Sequence, residues 1–229
     1  MARRIAAYGG TFDPVHNGHM ALARSLVALF ALDEVLFIPA HAAPHKRNVP
    51  PTPAWHRYAM LALATEDDVR LRVSTVELDA PERPYTVETI ERLQAELGSS
   101  DAGARLFFVM GADSWAEITT WRDWERLLSL CDQIVATRPG YELSFDDVPA
   151  NIRARIRDLR GAAHERAARA VTEGGAPKIF LTDAVNEDIS ATNVRRDVAR
   201  ARAGAPLKLP VPRAVAAYIE KYGLYEDQA

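Results

Sequence analysis

The 229-residue sequence is 48% hydrophobic, carries one cysteine, and sets 28 Lys and Arg against 31 Asp and Glu for a net charge of -3. That balance lacks the positive field on which non-specific nucleic-acid binding depends, so no nucleic-acid partner is expected. Cys131 has no partner for an intrachain disulfide, no apolar run nears the ~18 residues of a membrane helix, and the first glycines leave no room for a signal-peptide apolar region. A cytoplasmic protein without membrane attachment is expected.

The length suits one domain spanning 1–229. In chain order, Ile5–Tyr8 reads as a buried strand, followed by a helix with Leu22, Leu26, Leu29 and Phe30 on one face, then a strand at Val35–Ile38. Thr52 and Pro53 supply an N-cap and a first-turn proline for a helix whose apolar face is Trp55, Ala59, Ala62 and Leu63. Val69–Ser74 alternates and predicts a half-exposed strand; Thr86 caps a helix carrying Val87, Ile90, Leu93 and Leu97, and Gly98 closes it. Strands follow at Leu106–Met110, Ile134–Ala136 and Ile179–Leu181. Between 140 and 177, Arg153, Arg155, Arg157, Arg160, Arg166 and Arg169 are broken by Asp158 and Glu165, which predicts a solvated helical face rather than a polyanion site. Val215, Tyr218, Ile219 and Tyr222 make a last amphipathic helix, entered through Pro212 and closed by Gly223. The class is α/β: a Rossmann-like, doubly wound parallel sheet with flanking helices and a small C-terminal helical portion, its ligand crevice beyond the carboxyl ends of the strands.

The first such end carries GGTFDPVHNGH, residues 9–19. Gly9 and Gly10 allow positive φ and close backbone approach, and the amides of the following helix start attract anions, so Gly9, Gly10, Thr11 and Phe12 are candidate phosphate contacts. Neither Gly-x-Gly-x-x-Gly nor a Walker lysine is present. His16 and His19, three apart, can instead project from one helix face as donors to phosphate oxygens. A second cradle lies far along the chain in Ile189-Ser190-Ala191-Thr192-Asn193-Val194-Arg195, where Ser190 caps a helix whose first turn carries Thr192 and Arg195. Lys46, after the second strand, adds a mobile cation. The sharper rival is a zinc or iron site built from His16, His19, His41, His45 and Asp13, without the spacing of a known metal motif.

His16-Asn17-Gly18-His19 and the 189–195 stretch together resemble the HxGH and ISxTxxR signatures of the nucleotidyltransferase superfamily. Pro84-Tyr85-Thr86, Gly111-Ala112-Asp113-Ser114, Trp121-Arg122-Asp123-Trp124 and Arg138-Pro139-Gly140 extend the resemblance, along nearly the whole chain, to the bacterial nicotinate-nucleotide adenylyltransferase family. The resemblance implies that ATP and nicotinate mononucleotide are joined into nicotinate adenine dinucleotide with release of pyrophosphate, as a step of NAD synthesis dependent on Mg²⁺. It implies direct in-line attack without a covalent enzyme intermediate. It assigns His16 and His19 to the α- and β-phosphates, Thr11 and Lys46 to the triphosphate, and Ser190, Thr192 and Arg195 to the leaving pyrophosphate. Asp113 then meets a ribose hydroxyl, Thr86 and Trp121 the pyridine ring, and Arg138 the mononucleotide, while Trp124 is the better core candidate. Mg²⁺ would be held by phosphates and water rather than by protein ligands. Where the family's loop reads Pro-Pro-His-Lys, this chain has Ala43-Pro44-His45-Lys46, preceded by His41. Transfer to another phosphorylated acceptor such as phosphopantetheine, a nucleotide-sensing module and a metal hydrolase are the other readings, and a homo-oligomer is left open.

Overall fold

Alternating side chains of a sheet buried on both faces must feed two cores at once, and this chain does so. A computed structural model describes residues 2–41, 50–100, 103–137, 143–184, 189–202 and 209–226. Among these, β1 (Arg4–Gly10), β2 (Glu34–Pro39), β3 (Leu71–Val73), β4 (Arg105–Gly111), β5 (Asp132–Ala136), β6 (Ile156–Asp158) and β7 (Ile179–Thr182) pair in parallel in the order β3-β2-β1-β4-β5-β7-β6. Ala6, Tyr8, Val35, Phe37, Phe107 and Val109 join one core, and Ile5, Ala7, Ile38, Leu106, Phe108 and Met110 the other. The apolar runs therefore show no polar alternation.

Helices α1 (Asn17–Phe30), α2 (Ala54–Thr65), α7 (His164–Ala170), α8 (Ala191–Arg202) and α9 (Arg213–Tyr222) cover the first core. Helices α3 (Thr86–Ser100), α4 (Ala112–Ala116), α5 (Trp124–Leu130) and α6 (Ala150–Arg153) cover the second. The sheet is thus doubly wound and Rossmann-like. The strand order reverses between β1 and β4, which makes the crevice outside their carboxyl ends the natural ligand position. Among the described residues no helix is long and apolar enough to cross a membrane.

Several local expectations change. The inner face of α2 is Arg57, Met60, Leu61, Ala64 and Thr65, while Trp55 is 59% exposed. The phase shifts because the face is seated by a guanidinium with no exposed surface: Arg57 donates through Nε to Thr52 O (2.9 Å), through Nη1 to Thr11 O (2.7 Å) and through Nη2 to Ala40 O (2.6 Å). Burial pulls its pKa down, and Asp13, Tyr225 and Glu77 push it back. The cap of α2 is Pro53, not Thr52, whose amide is used elsewhere. Gly98 lies inside α3, on an exposed turn where a Cβ would meet open space, so nothing there forces the helix to stop. The strand predicted over 69–74 contracts to β3.

The Arg-rich stretch is not one helical face: it holds α6, β6 and α7. β6 lies at the sheet edge beside β7, with Arg155 donating to Pro177 O (2.5 Å) and to Leu128 O, and with Arg160 paired to Asp158. Three strand residues interrupted by Arg157 are too few to show a period. Arg153, Arg166 and Arg169 are solvated, as expected. At the far end, α9 is capped by Pro212 and closed by Gly223 at φ 58°, also as expected.

Arg57→Ala strands the carbonyls of Thr52, buried, and of Thr11 and Ala40, partly buried, and should lower unfolding free energy by ~3 kcal/mol in a denaturant titration. A loss below ~1 kcal/mol would contradict the seating role. Cys131 is 5% exposed, and burial pushes its thiol up to about 12, so it stays protonated at pH 8. A disulfide reagent at that pH should therefore leave the folded chain unmodified and titrate one thiol only after denaturation.

Candidate active site

The site starts where β1 ends. Gly9 and Gly10 close the strand, and the left-handed residue is Phe12, at φ 49°, not either glycine. The glycines serve close approach: a Cβ on Gly10 would lie 2.9 Å from the Phe12 ring, and one on Gly9 3.3 Å from the Phe108 ring. Phe12, almost wholly buried, is held in its unusual backbone geometry by edge contacts to Tyr8 (5.4 Å between centroids), Phe37 (5.5 Å) and His19 (5.0 Å). The chain then passes the cis Asp13-Pro14 bond and enters α1 at its N-cap, His16.

His16 and His19 do come together, with rings stacked at 3.6 Å between centroids. The His16 amide donates to His19 Nδ1 at 3.2 Å, so a histidine fills the place of the Glu or Gln of a capping box. With Nδ1 accepting, the proton of the neutral ring sits on Nε2, which becomes a donor. No acidic side chain occupies the first turn of α1. Its positive end therefore stays available to an anion. Gly18 is needed for closeness, since a Cβ there would fall 3.2 Å from the His16 ring and 3.6 Å from Ile189 Cβ.

That contact brings in the second motif. Ser190 accepts the Asn193 amide at 3.2 Å and caps α8, as expected. Thr192 is exposed, and Arg195 reaches it through Nη2 at 3.3 Å. Arg195 Nη1 donates to the backbone carbonyl of Asp13 at 2.6 Å, across 182 positions. The two motifs are physically one unit, and the groups it offers are imidazoles, hydroxyls, a guanidinium and helix-start amides. Such a set binds polyphosphate oxygens and stabilises charge moving onto a leaving group.

The bonds that hold this unit carry no sequence signature. Asp13, 6% exposed, takes the Tyr225 hydroxyl on Oδ1 (2.8 Å) and the Thr52 amide on Oδ2 (3.3 Å). The Asn17 amide donates to Pro210 O at 2.9 Å. Glu77, past β3, takes the Thr89 hydroxyl (3.0 Å) and the His41 amide (3.2 Å), and burial pushes its pKa up. None of these partners shares a motif with its neighbour, so spacing carries no signal of them. The metal alternative finds no counterpart: among the described residues no three His, Cys, Asp or Glu gather in a way that could hold an ion. His45 lies outside the described residues.

On the other side of β1, Asp113 folds back over Gly111 at the end of β4 and is exposed, free to meet a hydroxyl. Trp121 is half-buried, edge-on to Phe108 at 6.4 Å; its Nε1 is buried with no hydrogen-bond partner among the described residues. Thr86 opens α3, and the preceding Tyr85 carries the Arg122 guanidinium over its ring at 4.8 Å, which ties the α3 start to the Trp121 loop. Trp124 is half-buried as well, and the fully enclosed tryptophan is Trp115. Lys46 and Arg138 lie outside the described residues.

The cytidylyltransferase-like family matches residues 7–197. A protein of a Thermoanaerobacter species named "Probable nicotinate-nucleotide adenylyltransferase" is 36% identical over 223 residues, covering 97% of this chain and 94% of its own. One of the same name from Tropheryma whipplei is 36% identical over 96% of this chain and 98% of its own. The solved Plasmodium falciparum nicotinic acid mononucleotide adenylyltransferase complexed with NaAD shares the fold, with a TM-score of 0.66 at 18% identity over 98% of both chains. With both signatures joined in one crevice and relatives of this identity along its length, the chain belongs to the nicotinate-nucleotide adenylyltransferase family of nucleotidyltransferases.

Proposed function

We propose that the chain transfers the adenylyl group of ATP to nicotinate mononucleotide, forming nicotinate adenine dinucleotide and pyrophosphate for NAD biosynthesis in the cytoplasm. The observation that carries this reading is the hydrogen bond from Arg195 to Asp13 O, which sets the α8 cradle beside the α1 histidines. A mononucleotide phosphate oxygen attacks the α-phosphorus in line. The bond to the bridging oxygen breaks, and the electron pair leaves with pyrophosphate. The nucleophile is already an anion, so no protein nucleophile or covalent intermediate is required. The work of the protein is to hold mutually repelling phosphates together and to meet the charge that develops.

His16 and His19 act on the α- and β-phosphates, with Gly9, Gly10, Thr11 and Phe12 shaping the approach and Lys46 meeting the triphosphate. Ser190, Thr192 and Arg195 receive the leaving pyrophosphate. Asp113 takes a ribose hydroxyl; Thr86, Trp121 and Arg138 serve the mononucleotide. Mg²⁺ enters as part of the ATP complex, held by phosphate oxygens and water, in keeping with a cradle built of donors.

Pyrophosphate release with ATP and Mg²⁺ should be strong with nicotinate mononucleotide and weak with nicotinamide mononucleotide or phosphopantetheine; release with none of them overturns the reading. His19→Ala should lower kcat on the order of 100-fold to 1,000-fold in that assay while costing stability only the ~1 kcal/mol of a lost cap, and near-normal turnover would contradict its role. Trp121→Ala should raise KM for the mononucleotide about 10-fold and KM for ATP less than about twofold, whereas equal effects on both would reduce Trp121 to packing.

A further inference from the structure

Beyond α9 the chain turns at Gly223 and brings Tyr225 back under the β1 loop, 212 positions from its partner. Tyr225 is 4% exposed and sits at φ 67°, a left-handed backbone that a tyrosine adopts only when its surroundings impose it. Phenylalanine would fill the same volume, so packing alone does not call for the hydroxyl. That hydroxyl donates to Asp13 Oδ1 at 2.8 Å, while the Thr52 amide takes Oδ2 at 3.3 Å. Both carboxylate oxygens are thereby engaged, and Arg195 bonds instead to the Asp13 carbonyl at 2.6 Å. Burial and the Asp13 charge push the Tyr225 pKa up, keeping it a neutral donor.

We propose that Tyr225 is a positioning residue for the triphosphate cradle: its hydroxyl holds the Asp13 carboxylate turned inward, so that the Arg195 guanidinium is seated by a neutral carbonyl and keeps its charge for phosphate. Without the hydroxyl, Asp13 Oδ1 becomes an unsatisfied anionic acceptor on the same residue whose carbonyl seats Arg195, and captures it. The proposal rests on the adenylyl-transfer reading only for the identity of the triphosphate as ATP. It assigns the C-terminal turn a role in substrate affinity, not in the chemical step itself.

The test is a double-mutant cycle on the full chain, with ATP binding followed by calorimetry for the wild type, Tyr225→Phe, Arg195→Ala and the double variant. Tyr225→Phe should weaken ATP binding about 10-fold alone and less than about twofold in the Arg195→Ala background. In turnover, it should raise KM for ATP while KM for the mononucleotide and kcat stay within about twofold. An equal loss in both backgrounds, a parallel rise of both KM values, or unchanged ATP binding overturns the proposal. Should Tyr225→Phe not fold alone, it is made in the Asp13→Asn background: a neutral amide cannot capture Arg195, so adding Tyr225→Phe to Asp13→Asn should change ATP binding less than about twofold, and a further loss of about 10-fold overturns the proposal. A wild type that binds ATP but releases no pyrophosphate with nicotinate mononucleotide contradicts the proposed acceptor and leaves this cycle readable.

Discussion

A guanidinium sealed from solvent holds the loops of this enzyme in place. Arg57 spends its donors on the carbonyls of Thr11, Ala40 and Thr52, drawn from the segments after β1, after β2 and ahead of α2. Loop carbonyls at strand ends lack ladder partners, and buried ones are costly to leave unsatisfied. One side chain that satisfies three of them fixes the mutual position of the loops that rim the crevice. The Phe12 turn, the His16 cap and the Asp13 anchor all inherit their geometry from that arrangement.

The electrostatic design follows from where negative charge is put. The Asp13 carboxylate, in the loop that leads to the histidines, is consumed internally by Tyr225 and Thr52, and the first turns of α1 and α8 carry no acid. A polyphosphate approaching between them meets helix-start amides, imidazoles and Arg195. The opposite rim, with Asp113, Trp121 and the α3 start, belongs to the second core and is tied to β1 through Phe108. A doubly wound sheet thus assigns one rim to each set of helices, and in the proposed reaction a single strand separates the triphosphate side from the acceptor side.

Strands, their parallel class and the local geometry of both signature motifs were legible because each depends on local pattern: unbroken apolar runs, a Gly pair at a strand end, a Ser cap three residues before a paired amide. What escaped depended on distant partners. Arg57 carries no apolar signal, so a face drawn from the apolar residues Trp55, Ala59, Ala62 and Leu63 misses the side that Arg57 seats. Gly9 and Gly10 suggested positive φ, yet the strained residue is Phe12, since aromatic packing rather than glycine freedom decides that turn. β6 is three residues long, and Arg155 just ahead of it bonds to the Pro177 and Leu128 carbonyls, a use that charge patterning alone cannot separate from solvation. Tyr225 meets Asp13 across nearly the full chain, where no spacing rule operates.

The most direct test of the account is a titration of the ¹⁵N-histidine-labelled chain with ATP and Mg²⁺ in the absence of acceptor, followed by the imidazole nitrogen resonances. The account predicts that His16 and His19 shift together with ATP, with His19 keeping its proton on Nε2, while His56, bonded to Tyr218 at 2.9 Å, and exposed His164 stay unmoved. Unshifted His16 and His19 at saturating ATP would contradict the assignment of the α1 start as the phosphate cradle.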